Sequence, residues 1–302
     1  MIKTASPDPD KELRRANKAE RRRKQREANA GRVLKMRKAR LAHTEKKSDL
    51  SAPPIINVGC SGWFYWHWRG VFYPDGMPTK EWFGHYSSNF KTVELNAPFY
   101  SWPTLANVAS WKKQAGRKKF IYTVKVSELI THIKRFSGTK VLTKDFSYIA
   151  DLLGERMGCF IFQTPPSFHY TPTRLKAIVA QLDPRYRNVV EFRHASWWND
   201  DVYKAFKKAG IIFCSCSGPK LPDDLIATAD DVYIRFHGKA QWYRYNYSRV
   251  ELTEWAKKAK ACGAKRIWAY FNNDMEGHAI KNAKTFSALL RKEFVTTPQQ
   301  ET

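Results

Sequence analysis

The sequence predicts an α/β protein: an eight-stranded (β/α)8 barrel, the TIM-barrel fold, preceded by a basic N-terminal extension that is helical or disordered. Three observations support this fold class. Eight short apolar runs follow one another from residue 55 onward, and helical patterns separate them. The alternation covers about 245 residues, close to the roughly 250 residues typical of such a barrel. A doubly wound open sheet is the alternative, although no GxGxxG or Walker loop supports it.

The predicted strands are near-continuous apolar runs rich in Val, Ile, Phe and Tyr, which is typical of strands buried on both faces. They cover residues 55–60, 92–96, 120–126, 159–163, 188–192, 211–215, 232–236 and 266–271. Helical patterns lie between them, at residues 79–89, 105–115, 140–156, 172–182, 198–209, 249–262 and 278–292. The gap around residues 221–228 is short, and we expect at most a partial helix there.

The chain is strongly basic, and its charge is unevenly distributed. The formal net charge is +25. Residues 1–50 contain seventeen Lys or Arg and seven Asp or Glu, a net of +10, and the other residues carry +15. We therefore expect an anionic small molecule or a nucleic acid as the partner, although a basic balance can also serve solubility alone.

The first fifty residues differ in composition from the rest of the chain. They are rich in Ala, Lys, Arg and Glu and have almost no apolar face, so we expect a lone charged helix or a disordered segment without a packed core. Such a segment is either an arm that binds nucleic acid or polyphosphate, or a solvated tail. The predicted division is a basic tail (1–52), the barrel (53–294) and a C-terminal tail (295–302).

Cysteine usage and hydropathy restrict the class of protein. The five cysteines are odd in number and form no CxxC pair or Cys/His zinc spacing, which favours a reduced protein inside the cell. No stretch approaches the ~20 apolar residues of a membrane span, and the N-terminus lacks the apolar core of a secretory signal. We expect a cytoplasmic protein without a membrane partner, and the oligomeric state is left open.

Charged residues follow the apolar runs at the strand ends, where a barrel of this kind carries its active site. Side-chain alternation places Glu94 of the second strand, Glu191 and Arg193 of the fifth, and Arg235 and His237 of the seventh on the faces opposite the apolar residues. These charged faces would point into the barrel mouth. Burying the charges is costly unless they pair or meet a ligand. The pattern indicates a ligand site, with a structural ion-pair network as the alternative.

Side-chain chemistry assigns the candidate roles. Carboxylates and imidazoles are the candidate acid–base catalysts, namely Glu191, Glu94, His237 and His194. Cationic, amide, imidazole and aromatic residues near the strand ends are the candidate substrate-binding residues, namely Lys125, Arg193, Arg235, Asn96, Gln163, Asn272, Asn273, Asp274, His278, His132, Trp63, Tyr65 and His67. The last three come from an aromatic loop after the first strand, which stacks on a base or sugar ring or forms a local core.

Seven stretches, in order between Val58 and Leu290, carry a resemblance to a known family. They are Ser61-Gly62-Trp63 through Phe72-Tyr73-Pro74, Val93-Glu94-Leu95-Asn96, Lys125 with Thr131-His132, Phe162 through Phe168, Glu191 through Trp197, Tyr233 through Gly238, and Tyr270 through Asp274 with Gly277-His278-Ala279. Together they resemble the YecE-like family, a TIM-barrel domain of unknown function. The resemblance implies the barrel and no reaction. This sequence departs from the pattern at Ser217-Gly218-Pro219, where such proteins often carry an acidic residue.

Three functions are compatible with these residues. The first is an enzyme acting on a phosphorylated or nucleic-acid substrate, such as a phosphodiester or phosphate-ester hydrolase, in which Lys125, Arg193 and Arg235 hold phosphate oxygens. A glutamate would be the general base and a histidine the general acid. The second is a non-catalytic RNA- or DNA-binding protein. The third is a sugar or sugar-phosphate isomerase or lyase with Glu94 and Glu191 as paired carboxylates.

No cofactor is expected. A divalent metal could bind Glu94, Glu191, His237 and Asp274, since carboxylates and imidazoles are suitable ligands. No fixed ligand spacing supports such a site, and the three nearby cations oppose it.

Overall fold

The computed structural model describes residues 9–43 and 55–295. Eight parallel strands form one sheet in the order β1-β8-β7-β6-β5-β4-β3-β2. The strands are β1 (Ile56–Cys60), β2 (Thr92–Leu95), β3 (Ile121–Lys125), β4 (Met157–Gln163), β5 (Asn188–Glu191), β6 (Ile212–Ser217), β7 (Asp231–Phe236) and β8 (Arg266–Phe271). Helices connect all successive strands except β6 and β7, and the predicted (β/α)8 TIM barrel is confirmed.

The α-helices of the described residues lie close to the predicted positions. They are α1 (Pro9–Ala42), α2 (Trp82–Asn89), α3 (Ala97–Tyr100), α4 (Leu105–Ala115), α5 (Lys140–Leu153), α6 (Pro172–Val179), α7 (Asp200–Ala209), α8 (Arg249–Ala261) and α9 (His278–Val295). A π-helical turn, Leu129–Ile133, follows β3. Between β6 and β7, all of residues 218–230 are described and none is helical, so the partial helix expected at 221–228 does not form.

Strand side chains alternate between two apolar layers, as predicted. On β7, Val232, Ile234 and Phe236 pack into the layer shared with the helices, whereas Tyr233 belongs to the layer inside the barrel. Arg235 shares the inward face with Tyr233 and is buried. Because both faces of each strand are covered, the strand sequences read as near-continuous apolar runs.

The barrel closes between β1 and β2 through a side chain of α2. Ladders join β2 through β8 in sequence and β8 to β1, and none joins β1 to β2 within the described residues. The Tyr86 hydroxyl accepts a hydrogen bond from Cys60 N at 2.9 Å and donates one to Thr92 O at 3.0 Å. The strands approach closely here, since a Cβ on Gly59 would lie 2.4 Å from Thr92 O. The Tyr86 hydroxyl therefore pairs with one backbone group on each side of this seam between β1 and β2, the N–H of Cys60 and the C=O of Thr92.

The basic extension contains α1, a helix of 34 residues that packs against the barrel. Asn29, Val33 and Met36 are buried and share one face of the helix. The expectation of a segment with almost no apolar face is therefore wrong for its second half. These three residues form a narrow buried stripe. The stripe holds the helix against the barrel because α5 and the chain after α3 cover it.

Polar contacts fix α1 in place on both sides of this stripe. The Asn29 side chain donates to Tyr100 O at 3.0 Å and accepts from Trp102 N at 2.9 Å. Two buried carboxylates each pair with two arginines of α1, Glu128 with Arg22 and Arg26, and Asp145 with Arg37 and Arg40. None of the described helices combines the length and the apolar character needed to cross a lipid bilayer.

Candidate functional site

A hydrogen-bonded series of buried charged side chains lies inside the barrel, toward the C-terminal ends of the strands. Tyr233 on β7 donates its hydroxyl to Glu94 Oε2 at 2.6 Å, and Arg235 Nη2 donates to Glu94 Oε1 at 2.5 Å. Arg235 Nη1 donates to Glu191 Oε2, and Arg193 Nε donates to Glu191 Oε1. Arg235 is 1% exposed. A guanidinium offers donors in a fixed fork, so this one side chain bridges two carboxylates from β2 and β5.

His237 extends this series toward the mouth. Its Nε2 lies 3.1 Å from Arg193 Nη2 and 3.3 Å from Glu191 Oε1, and its Nδ1 lies 3.1 Å from Asn272 Nδ2. The Trp242 ring covers the Arg193 guanidinium at 4.8 Å from Cζ to the ring centroid. The structure thus brings together six of the predicted site residues, namely Glu94, Glu191, Arg193, Arg235, His237 and Asn272.

The electrostatics of this cluster change the roles expected of two residues. Burial raises the pKa of Glu191, but the charges of Arg193 and Arg235 outweigh it and hold that pKa well below the usual range. Burial and the Arg193 charge lower the pKa of His237 to about 3. At neutral pH Glu191 is a weak base, and His237 has no extra proton to give. The predicted roles of Glu191 as general base and of His237 as general acid therefore do not suit these two side chains.

Lys125 lies apart from the ion pairs, at the end of β3. Its Nζ is 2.6 Å from Gln163 Oε1 and 4.1 Å from the centroid of the Phe99 ring. His132 packs against the same ring at 4.8 Å, and burial lowers the pKa of His132 to about 4. Lys125, Gln163 and His132 therefore form a second group of predicted residues, beside the first.

Part of the aromatic loop after β1 forms a local core, whereas Phe64 and Trp66 are exposed. Trp63 packs edge-on against Phe83 at 5.2 Å. Tyr65 donates its hydroxyl to Ser61 O at 2.6 Å, and Asn96 Nδ2 donates to the same oxygen at 3.0 Å. These contacts favour a structural role for Trp63 and Tyr65, one of the two alternatives that the sequence left open.

Four further candidates make contacts elsewhere. His67 pairs with Asp274 at 3.2 Å between Nε2 and Oδ2, and His278 Nε2 lies 3.5 Å from Glu276. His194 accepts from Ser196 N at 3.2 Å and stacks on His169, and its role as an acid–base catalyst stays a prediction. Its backbone begins a 3-10 turn, so strand alternation no longer directs its side chain.

Asn273 holds the segment that follows β8. It is fully buried, and its Nδ2 donates to Tyr245 O and to Asn282 Oδ1, each at 2.7 Å. Its Oδ1 has no hydrogen-bond partner among the described residues. The predicted substrate-binding role of Asn273 stays a prediction.

Sequence reasoning missed two residues that contact the cluster. Tyr233 is two residues before Arg235 on β7, so the alternation that selected Arg235 and His237 could also have selected it. Trp242 lies between β7 and α8 in a segment without periodicity, and no sequence signal relates it to Arg193.

A metal does not fit the cluster well. Glu191, Cys216 and His237 are the described residues whose ligand atoms lie within 4.8 Å of one another, and all three are buried. Glu94 and Asp274 of the expected set do not belong to this group. Because Arg193 and Arg235 already pair with Glu191, a divalent cation would meet two positive charges beside its carboxylate ligand. We derive no step through a metal.

Several buried polar atoms at this end of the barrel have no hydrogen-bond partner among the described residues. They include Ser61 Oγ after β1, Asn96 Oδ1 after β2, Ser217 Oγ at the end of β6, Arg235 Nε on β7 and Asn273 Oδ1 after β8. Leaving such a group unpaired costs about 1–3 kcal/mol. Unpaired buried atoms from several strands at one end are therefore a feature that requires an explanation.

Comparison with known proteins connects this barrel to a family. A sequence profile described as "Protein of unknown function DUF72" matches residues 57–302. The UPF0759 protein YunF of Bacillus subtilis (strain 168) is 26% identical over 276 residues, covering 80% of this chain and 96% of YunF.

Solved structures agree with the sequence comparison. A DUF72 family protein of Thermotoga maritima MSB8 (TM1631) is 27% identical, with a TM-score of 0.70 over 79% of this chain and 100% of the other. A DUF72 family protein of Enterococcus faecalis V583 (EF0366) is 19% identical, with a TM-score of 0.66 over 82% of this chain and 100% of the other. The YecE-like resemblance is confirmed, and the chain belongs to the DUF72 family of proteins of unknown function.

Proposed function

We propose that the protein is an enzyme that acts on a small anionic substrate, phosphorylated or carboxylated, bound at the mouth of the barrel. The observation that carries this proposal is the set of unpartnered buried polar atoms at this end of the barrel. Arg235 Nε needs an acceptor such as an anion oxygen, whereas Asn96 Oδ1 and Asn273 Oδ1 need a donor such as a hydroxyl group. A ligand with both kinds of group would satisfy these atoms, and their cost in the free protein would then contribute to binding specificity.

The anion would bind at Arg193. Its Nε and Nη2 contact Glu191 and His237, and its Nη1 makes no hydrogen bond to any described residue. Arg235 is less suitable than the sequence suggested, because Glu94 and Glu191 take both of its terminal nitrogens. The expected clamp of three cations is thus reduced to Arg193 and Lys125.

A thermal-denaturation titration of the full-length protein with inorganic phosphate and pyrophosphate tests this proposal. Binding to the folded state raises the midpoint with ligand concentration. We expect this increase for the wild-type protein and for Arg291→Ala, an exposed control on α9. We expect little increase for Arg193→Ala. An equal increase in all three proteins would show that the anion binds outside the mouth. No increase in any of them would contradict the proposal.

A second candidate function is nucleic-acid binding through α1. Its first turns carry Arg14, Arg15, Lys18 and Arg21, all exposed. A helix with cations on an exposed surface binds phosphate backbones without reading sequence, and its affinity falls with salt. This surface is separate from the charged cluster, so binding and turnover could belong to different parts of one protein.

Fluorescence anisotropy with labelled single-stranded RNA and DNA distinguishes the two candidates. Replacing Arg14, Arg15 and Lys18 together by alanine should weaken binding and reduce the salt slope by about 0.7 for each lost contact with a phosphate of the single strand. Replacing Lys204, Lys207 and Lys208 of α7 by alanine removes the same charge elsewhere and is the control. Binding that falls equally in both triple variants would reflect net charge alone. Binding that falls only with Arg193→Ala would favour a nucleic-acid end at the mouth.

The isomerase or lyase hypothesis receives less support. It requires Glu94 and Glu191 as bases, yet both accept hydrogen bonds from Arg235. Burial raises the pKa of Glu191, but the charges of Arg193 and Arg235 outweigh it and keep that pKa well below the usual range, so Glu191 is a poor proton shuttle.

A further inference from the structure

Lys125 has an unusual set of neighbours for a lysine. It is 8% exposed, and its Nζ contacts the Gln163 amide oxygen and the Phe99 ring. Among the described residues, no carboxylate oxygen lies within salt-bridge distance of Nζ. A buried ammonium group usually has such a partner. Lys125 therefore combines burial with the absence of a direct counter-charge.

The nearby carboxylates do not compensate for this burial, because arginines pair with them. Glu94 pairs with Arg235, and Glu191 pairs with both Arg235 and Arg193. The two glutamates and the two arginines sum to zero charge. Arginine keeps its proton in proteins and offers more donors than lysine, so the pairing leaves lysine as the group that can lose a proton.

The proton affinity of Lys125 follows from these contacts. Burial, with the Arg235 charge second, lowers the pKa of Lys125 to about 7, although Glu191 and Glu94 act in the opposite direction. His132, the other titratable group beside it, is neutral at that pH, since its own pKa is lowered to about 4. A substantial fraction of the Lys125 amine is then unprotonated at neutral pH. An unprotonated lysine next to other cations is a nucleophile.

Lys125 and Arg193 thus have different chemistry at one mouth. Arg193 remains charged and has a free Nη1, which suits an anionic group. Lys125 is a poor permanent cation and a good nucleophile, which suits an electrophilic carbon. A substrate that uses both must carry an anionic group and a carbonyl group.

Resting on the function proposed above, we propose that Lys125 forms an imine with the aldehyde or ketone group of an anionic substrate. The Nζ lone pair forms a bond to the carbonyl carbon, and the electrons of the carbonyl π bond move to oxygen. The resulting carbinolamine loses water to give the C=N bond. Both amine hydrogens leave with the carbonyl oxygen as that water, so no oxidant, reductant or cofactor is consumed.

Reductive trapping tests the inference. The full-length protein is incubated at pH 7 with glyoxylate, which carries both a carboxylate and an aldehyde, and sodium borohydride then reduces any imine to a stable amine. Peptide mass spectrometry should find the adduct on Lys125 at least about tenfold more often than on Lys257, an exposed lysine of α8. Equal labelling of the two lysines would overturn the inference.

Two controls separate loss of the amine from loss of the fold. Lys125→Arg should remove the adduct, and Lys257→Arg should leave it. In the wild-type protein, which needs no substitution, labelling of Lys125 should rise as the pH increases through about 7, well below the roughly 10.4 of an ordinary lysine amine. A rise of Lys125 labelling only near 10.4 would contradict the inference without any variant.

The anion-binding function and the imine can fail independently. If phosphate stabilises the wild-type protein but not Arg193→Ala, and glyoxylate labels Lys125 no more than Lys257, the anion site stands and the imine is wrong. If phosphate has no effect and Lys125 is trapped equally well by glyoxylate and by the uncharged glycolaldehyde, the amine is reactive and the anionic substrate is wrong.

Discussion

Arg235 determines the arrangement of the charged cluster at the residue scale. It bridges Glu94 and Glu191, and all three side chains are inaccessible to solvent or nearly so. Desolvating these charges is expensive, and their mutual attraction offsets the cost only while the set is complete. The cluster is therefore both a structural network and the frame that orients Arg193 and His237.

Replacing Arg235 by leucine should strongly destabilise the protein. Two carboxylates would remain buried without a counter-charge, a loss of about 3–5 kcal/mol. Urea denaturation followed by circular dichroism measures the change. Arg291→Leu, at an exposed position of α9, should stay within about 0.5 kcal/mol of the wild type. A loss below about 1 kcal/mol for Arg235→Leu would mean that the carboxylates find another partner.

His237 should make stability depend on pH between about 6.5 and 4.5. Its folded-state pKa is lowered to about 3, so in this range the unfolded chain binds a proton that the folded protein does not. Stability is then complete above 6.5 and falls with decreasing pH, by about 2–3 kcal/mol at pH 4.5. His132 adds a smaller contribution of the same sign, since it is less buried.

The measurement is the unfolding free energy as a function of pH for the wild type and His237→Gln. The variant should retain only the smaller His132 contribution to the slope. An unchanged slope would show that His237 titrates normally. Lys125 does not contribute to the slope in this pH range, because its lowered pKa affects stability only between about 7 and 10.4.

At the element scale, α1 is a helix with two different halves. Its exposed first turns are available to a polyanion, and its second half buries Asn29, Val33 and Met36 against the barrel. Sequence periodicity gave a charged helix as one alternative. Periodicity could not predict that the helix packs against the barrel, because three buried positions in 34 residues barely alter the hydrophobic pattern of the helix. The acidic partners Glu128 and Asp145 lie on other elements.

Met36→Asp should detach α1 from the barrel without unfolding the barrel. A charge would enter a position that is 1% exposed. Hydrogen–deuterium exchange of residues 9–43 should accelerate, while exchange of the strands should not change. Leu34→Asp, two residues earlier on the exposed face, is the matched control and should leave exchange of the helix unchanged. If both variants behave alike, the helix is not held by its buried stripe.

At the scale of the whole molecule, the barrel depends on a seam that a side chain closes. Tyr86 links β1 to β2, and Gly59 lets the two strands approach. This ring of strands must stay closed to keep the charged cluster and Lys125 in their relative positions at the barrel mouth.

Gly59→Ala should lower the melting temperature, because the added Cβ would lie 2.4 Å from Thr92 O, a backbone atom that cannot move alone. Such overpacking costs about 1–3 kcal/mol. Gly84→Ala in α2 is the control: no atom lies within 4 Å of its Cβ, and a helical alanine should stabilise by about 0.5–1 kcal/mol. A neutral Gly59→Ala would mean that the seam is wider than described.

The sequence by itself determined the barrel and the inward faces of its strands. Strand periodicity and the order of elements are local properties, so they predicted eight strands and placed Glu94, Glu191 and Arg235 on inward faces. The resemblance reached the family for the same reason, since its motifs are contiguous stretches of chain.

Only the tertiary structure decided which of these residues pair and which remain free. Arg235 binds both glutamates, His237 becomes too acidic to hold a second proton at neutral pH, and Lys125 is left without a carboxylate. These outcomes depend on distances between side chains from different strands and on the burial that surrounds them. Neither quantity is encoded by any local pattern, because Coulomb energy and desolvation are set by the assembled barrel.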